Sequence, residues 1–168
     1  MADWKRVETM KDRPSIDQDF FVYILICQIA HLMDKAIQKE LKQYGVTSRQ
    51  AAVLLAIQYI GKEATPGLIA QWLTLEPHAI SQILTRMEKK KLVRRASGES
   101  RNRSVRVTLT EKGQRLKYRS GEKIFKFIHS IMSHLSEEQF QQLKPELKLI
   151  RERVFKHLTE KKERLFPV

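Results

Sequence analysis

Between Pro77 and Leu109 the hydrophobic period changes from that of a helix to that of a strand, and this change limits the fold more than any other feature of the chain. From Pro77 to Lys90, steps of about 100° per residue gather Ile80, Ile83, Leu84 and Met87 on one side. His78, Gln82, Thr85 and Lys89 fall on the opposite side, flanked by Ser81 and Arg86. The inward face is purely apolar, and the outward face carries hydrogen-bonding side chains. Leu92 to Ala96 then reads as a strand, Ser97 to Ser104 as a polar turn with Gly98 and Asn102, and Val105 to Leu109 as the return strand. Val105, Val107 and Leu109 alternate with Arg106 and Thr108, the period of a half-buried hairpin.

Charge is concentrated on the same stretch. Arg86 to Arg119 holds thirteen Lys and Arg against Glu88, Glu99 and Glu111, a local surplus of ten out of a formal net charge of +13. Cations gathered in this way form an electrostatic footprint for a polyanion, and nucleic acid is the first partner to consider. A helix followed by a basic hairpin is the construction of a winged helix.

The rest of the chain reads as helix. Met1 to Ser15 mixes charges around Pro14 without a period and is expected to be a loose arm. Ile16 to Tyr44 lacks internal Gly or Pro, and its run from Phe20 to Cys27 is apolar nearly all round. Such a helix must be buried on every side, which calls for a partner helix from a second chain. Thr47 with Gln50 makes a capping box for a second helix, with Ala51, Leu54, Leu55, Ile57 and Ile60 as its core face. Thr65-Pro66 starts a short helix to Leu73 with a hydroxyl at the N-cap and proline at the first position. A long helix from Thr110-Glu111 collects Leu116, Ile124, Phe125, Phe127, Ile128, Ile131 and Met132. Ser136 with Gln139 caps a last one bearing Phe140, Leu143, Leu147, Ile150, Val154 and Leu158, in which Pro145 should kink or break the helix.

Bulk properties narrow the class. With 42% hydrophobic and 30% charged residues the chain is globular rather than a disordered basic tail. The single Cys27 rules out an intrachain disulfide and a cysteine-rich zinc site, and a reducing cytoplasm is the expected compartment. The N-terminus lacks a signal-peptide stretch, and the run Phe20 to Cys27 is expected to be too short to span a bilayer. Glycine-rich phosphate loops, GxSxG and HExxH are missing, so neither an enzyme nor a cofactor is expected. His129, His134 and His157 have no partner at metal-binding spacing, and no metal is expected.

Three strings carry a resemblance to a known family: VTSRQAAVLLAI from Val46, HAISQILTRMEKKKLVRR from His78 and RSVRVTLTEKG from Arg103. In this order and spacing the chain resembles the MarR family of bacterial transcription regulators from about Phe20 to its C-terminus. The resemblance implies a single domain over residues 1–168, mainly α with a small β-hairpin wing. Residues 47–110 would form a winged helix-turn-helix region, and the helices of 16–44 and 112–160 would interlock with those of a second copy. It further implies a homodimer on pseudo-palindromic double-stranded DNA, released by a small aromatic or phenolic effector or another signal. Two departures stand out. Many members carry Asp-x-Arg in the wing where this chain has Arg101-Asn102-Arg103, and Lys91 takes the place of a glycine after the recognition helix.

Carried over residue by residue, His78, Ser81, Gln82, Thr85 and Arg86 are the positions that enter the major groove, and Arg101 and Arg103 belong to the wing. Lys89, Lys90, Arg94 and Arg95 are expected to position the protein through phosphates. For each the plainer alternative is a solvated helix face. His31, Tyr59, Trp72 and Tyr118 are candidates for lining an effector pocket, the alternative being core or interface positions. Cys27, flanked by Ile24, Ile26 and Ile29, is expected to be an inert core cysteine rather than an oxidant sensor. Two other functions stay open, a nucleic-acid packaging protein without sequence preference and a helical protein–protein adaptor with a basic face.

Overall fold

The computed structural model describes residues 17–97 and 105–164. They comprise α1 (Gln18–Leu41), α2 (Ser48–Ile60), α3 (Pro66–Leu73), α4 (Pro77–Lys89), β1 (Val93–Ser97), β2 (Val105–Leu109), α5 (Glu111–Met132) and α6 (Glu137–Arg164). The chain divides into two compact units between Ile124 and Phe125, a boundary that falls inside α5.

Local chemistry sets the element boundaries in the first unit. α1 ends in a 3-10 turn, Lys42–Tyr44, and Gly45 takes a φ of +65°, open to glycine without a Cβ penalty. The capping box opening α2 is complete, with Gln50 N–H on Thr47 Oγ1 at 3.1 Å and Thr47 N–H on Gln50 Oε1 at 3.3 Å. Thr65 Oγ1 accepts from Leu68 N–H at 3.2 Å, ahead of Pro66 at the first position of α3. The core consists mainly of Leu41, Val53, Leu54, Ile69, Ile80, Leu84, Met87, Leu92 and Val107, all with under 2% of their surface exposed. The expected core face of α2 is only partly correct. Val53 and Ala56 are fully buried, whereas Leu55 is exposed and looks toward Gly121 of α5. α2 is apolar on more than one side, so periodicity alone does not select its inner face.

β1 and β2 pair antiparallel with Val93 opposite Leu109 and Arg95 opposite Val107. Val107 N–H also donates to Ala64 carbonyl at 2.9 Å, so the hairpin is stitched to the segment ahead of α3. The turn from α4 into β1 is a Schellman motif, in which Leu92 N–H reaches Met87 carbonyl at 2.9 Å and Lys91 N–H reaches Glu88 carbonyl at 2.8 Å. That geometry requires a left-handed residue, and Lys91 supplies it at φ +57°. Lysine therefore replaces the usual glycine without changing the turn, at a cost in strain.

The second unit consists of the end of α5 and α6. The Ser136 capping box is formed, with Gln139 N–H on Ser136 Oγ at 3.2 Å and Ser136 N–H on Gln139 Oε1 at 2.8 Å. α6 continues through Pro145 without the expected break. Met132, Phe140, Leu143 and Leu147 line a shallow cleft of about 400 Å³ rimmed by Lys144, Lys148 and Arg151.

Two expectations about α1 need correcting. Phe20, Phe21, Val22, Tyr23, Leu25, Ile26, Ile29 and Leu32 are exposed on the single chain, and Cys27 is exposed with them instead of lying in a core. Nor is the apolar segment short. Gln18–Tyr44 forms a helix long and apolar enough by length and composition to cross a bilayer. Counting only the unbroken apolar run missed the residues beyond Cys27 that extend it.

Gly113 of α5 sits against the turn that follows α4. A Cβ there would stand 2.0 Å from Leu92 carbonyl oxygen, a backbone atom that cannot swing away. Gly113→Ala is expected to lower unfolding stability by about 2–3 kcal/mol, measured by urea denaturation. Lys91→Gly, which relieves the left-handed strain, is expected to raise it by about 0.5–1 kcal/mol in the same titration, after allowance for the freer unfolded chain.

Candidate nucleic-acid interface

α4 presents the face expected of it. Ile80, Leu84 and Met87 are fully buried and Ile83 nearly so, while His78, Ser81, Gln82, Thr85, Arg86 and Lys89 are exposed. The packing of the apolar side against the core fixes the rotation of the helix, so the polar side has one direction to face. Pro77 begins the helix at its first position, which leaves His78 in the first turn.

These side chains are partly bonded to one another. Gln82 Nε2 lies 2.8 Å from His78 Nε2, one turn earlier. Thr85 Oγ1 donates to Ser81 carbonyl at 2.9 Å and accepts from the Arg95 guanidinium at 3.0 Å. Arg95 in turn grips Glu88, its Nε and terminal nitrogen reaching Oε2 at 2.9 and 2.7 Å and its backbone N–H reaching Oε1 at 3.1 Å. The hairpin is thereby tied to the outer flank of α4. Arg95, expected among the phosphate contacts, also links strand to helix, and the sequence signal for this link was Glu88 one turn after Thr85, facing a strand cation.

The basic footprint is divided in the same way. Arg106 pairs with Glu63, and Arg119 lies over the Tyr44 ring at 5.6 Å. Lys90 Nζ caps Gly45 carbonyl at 2.9 Å, and Lys112 Nζ caps Lys90 carbonyl at 3.0 Å. Arg86 and Lys89 on α4 and Arg94 on β1 project to solvent. Arg94 also lines a cleft of about 610 Å³ at the hairpin base, beside Lys91, Lys112 and Arg115. Arg101 and Arg103, with Glu99 and Asn102, lie outside the described residues.

The effector candidates are only partly brought together. Tyr59 and Trp72 form a ring pair with centroids 5.5 Å apart, both exposed. His31 and Tyr118 are exposed on α1 and α5. The cleft between α2 and β2 is lined by other residues, among them Ile57, Gln58, Lys62 and Thr108. On α1, the Tyr23 phenol is pushed above its ordinary range, chiefly by the hydrogen bond to the Cys27 side chain and secondarily by charge interaction with it. Among the described residues no three His, Cys, Asp or Glu side chains gather into a metal-holding group.

The bonds from the Arg95 side chain and backbone hold the Glu88 carboxyl below its ordinary range. A carboxyl depressed on folding adds stability that is complete above its unfolded pKa and fades as pH falls through its folded one. Glu88→Gln is therefore expected to cost up to about 1 kcal/mol near pH 7, a modest amount because the pair is partly exposed. The gap between variant and parent in thermal unfolding should close as the pH is lowered past the carboxylate range.

Residues 44–103 match the model of the MarR family. Over 150 residues the chain is 28% identical to the HTH-type transcriptional regulator PecS of Dickeya dadantii (strain 3937), covering 88% of each protein. Its fold is similar to that of the organohalide-sensing transcriptional regulator RdhR-CbdbA1625 in its ligand-free form. That match has a TM-score of 0.75 at 25% identity, over 88% of this chain and 90% of that one. The same regulator has also been solved with 2,4-dichlorophenol bound. The fold likewise matches the Staphylococcus aureus MepR–DNA complex, with a TM-score of 0.76 at 24% identity, over 82% of this chain and 99% of that one. The helix-turn-helix with its two-stranded wing, the matched segment and the relative aligned over most of its length agree, and the chain is similar to the MarR family of transcriptional regulators.

Proposed function

We propose that this regulator is a sequence-specific repressor that binds a pseudo-palindromic operator as a homodimer. One observation carries the reading: α4 holds a fully polar face outward, locked in rotation by a fully buried apolar face. His78, Ser81, Gln82, Thr85 and Arg86 enter the major groove, and Lys89 and Arg94 bind flanking phosphates. Arg101 and Arg103 are assigned to the adjacent minor groove or its phosphates.

The exposed apolar side chains of α1 and those of α6 support a second copy as partner. Apolar surface of that extent is costly in water and marks an interface. A chain-to-chain helical interface also accounts for the membrane-like hydropathy of α1, and the protein then works in the cytoplasm. Cys27 is covered in such an interface.

A small phenolic or aromatic effector, as in the dichlorophenol-bound relative, favours a dimer geometry in which the two α4 helices no longer match half-sites one DNA turn apart. The exposed Tyr59–Trp72 pair offers it aromatic contact, with His31 and Tyr118 as further contacts. The chemistry of the chain is binding, with no reaction assigned.

Competition binding at about 150 mM salt compares DNA upstream of the protein's own gene with random duplex of equal length. A preference of roughly 10³ or more is expected. Equal affinities that fall steeply with salt would overturn the reading in favour of nucleic-acid packaging. Gln82→Ala is expected to reduce affinity for the preferred site by about tenfold and to leave random-duplex binding unchanged in the same assay.

A further inference from the structure

The bonds around Thr85 restrict what its side chain offers a base pair. A threonine hydroxyl has one proton and two lone pairs. The proton is committed to Ser81 carbonyl at 2.9 Å, and one lone pair accepts from Arg95 at 3.0 Å. Arg95 is itself anchored through three bonds to the Glu88 carboxylate, 2.7 to 3.1 Å long, so the arrangement is held from both sides. The hydroxyl has no proton left for purine N7 or O6. Thr85 is nevertheless exposed on the outward face, and the groups left to it for a base edge are its γ-methyl and a single lone pair.

We infer that Thr85 reads the C5-methyl of thymine by apolar contact, and that Glu88 and Arg95 are positioning residues that turn its hydroxyl away from the base edge. The inference rests on the proposal that α4 enters the major groove. There thymine is the base that displays a methyl group, and a methyl-to-methyl contact needs no hydrogen-bonding capacity from the protein. Gln82, at the preceding position of the same face, keeps amide capacity beyond its bond to His78. Hydrogen-bond readout and methyl readout thus fall to two successive positions on one helix.

The test uses the full chain and a randomised duplex library. After rounds of selection, each thymine of the enriched half-site is replaced in turn by deoxyuridine, which deletes only the methyl. The parent protein is expected to lose roughly three- to tenfold in affinity at one thymine per half-site. Thr85→Ser keeps the hydroxyl bonds and removes the methyl, so it should be insensitive to that replacement. Thr85→Val keeps a methyl and removes the hydroxyl, so it should stay sensitive. Enrichment of a site in which no thymine is sensitive overturns this inference alone, as does sensitivity that persists in Thr85→Ser. So does a base preference lost only in Thr85→Val, which would assign the reading to the lone pair. Failure to enrich any sequence overturns the specific-binding proposal, and this inference with it.

Discussion

Leu92 is the point at which three parts of the first unit are joined. Its N–H closes the turn after α4 on Met87, and its carbonyl accepts from Thr110 N–H at 3.1 Å and Oγ1 at 3.2 Å at the start of α5. Gly113 packs so close to that carbonyl that no other residue fits without a shift. Leu92 itself is buried, with 1% of its surface exposed. The exit of α4, the base of the hairpin and the entry of α5 therefore share one set of backbone bonds. A displacement of α5 is felt at the C-terminus of α4 through a few short, directional contacts and not through a compliant loop.

A basic surplus is usually treated as one property, and here it serves at least two ends. Arg95, Arg106, Lys90, Lys112 and Arg119 each hold a specific structural partner, joining strand to helix, strand to turn, or one helix end to the next. Arg86, Lys89 and Arg94 extend from the surface formed by those links. Lys90, Lys112 and Arg119 still contribute to the field that attracts a polyanion, because a carbonyl or a ring leaves the charge in place, whereas Glu88 and Glu63 offset Arg95 and Arg106. Short-range bonding and long-range attraction are thus drawn from one set of side chains.

Most of this was legible in the sequence wherever a local rule had a single outcome. Thr47 with Gln50, Thr65-Pro66 and Ser136 with Gln139 marked three helix starts, while the alternation from Val105 to Leu109 held at buried Val107 and not at Val105, which is exposed. The buried side of α4 was clear because its apolar and polar positions separate cleanly. Legibility failed where the pattern had two solutions or the partner lay far along the chain. α2 is apolar on more than one side, so the exposure of Leu55 did not follow from spacing. The bond of Arg95 to Glu88 did not follow from spacing, because it forms only when the hairpin folds back onto α4. Cys27 had apolar neighbours in sequence, but a cysteine on a helix with uncovered apolar faces is not in a core within one chain. Pro145 removes a donor from α6, yet the helix around it continues.

The uncovered surface of α1 ties the amount of this protein to its activity. If the apolar face is covered only by another copy, the species able to grip two half-sites grows with the square of chain concentration at low abundance. A repressor controlling its own gene would then switch more sharply with expression than a monomer of equal affinity. It would also lose about three-quarters of that species on a twofold dilution, as when a cell divides faster than it makes the chain. The greasy side of one helix, costly to leave in water, acts as a threshold on how much regulator counts as enough.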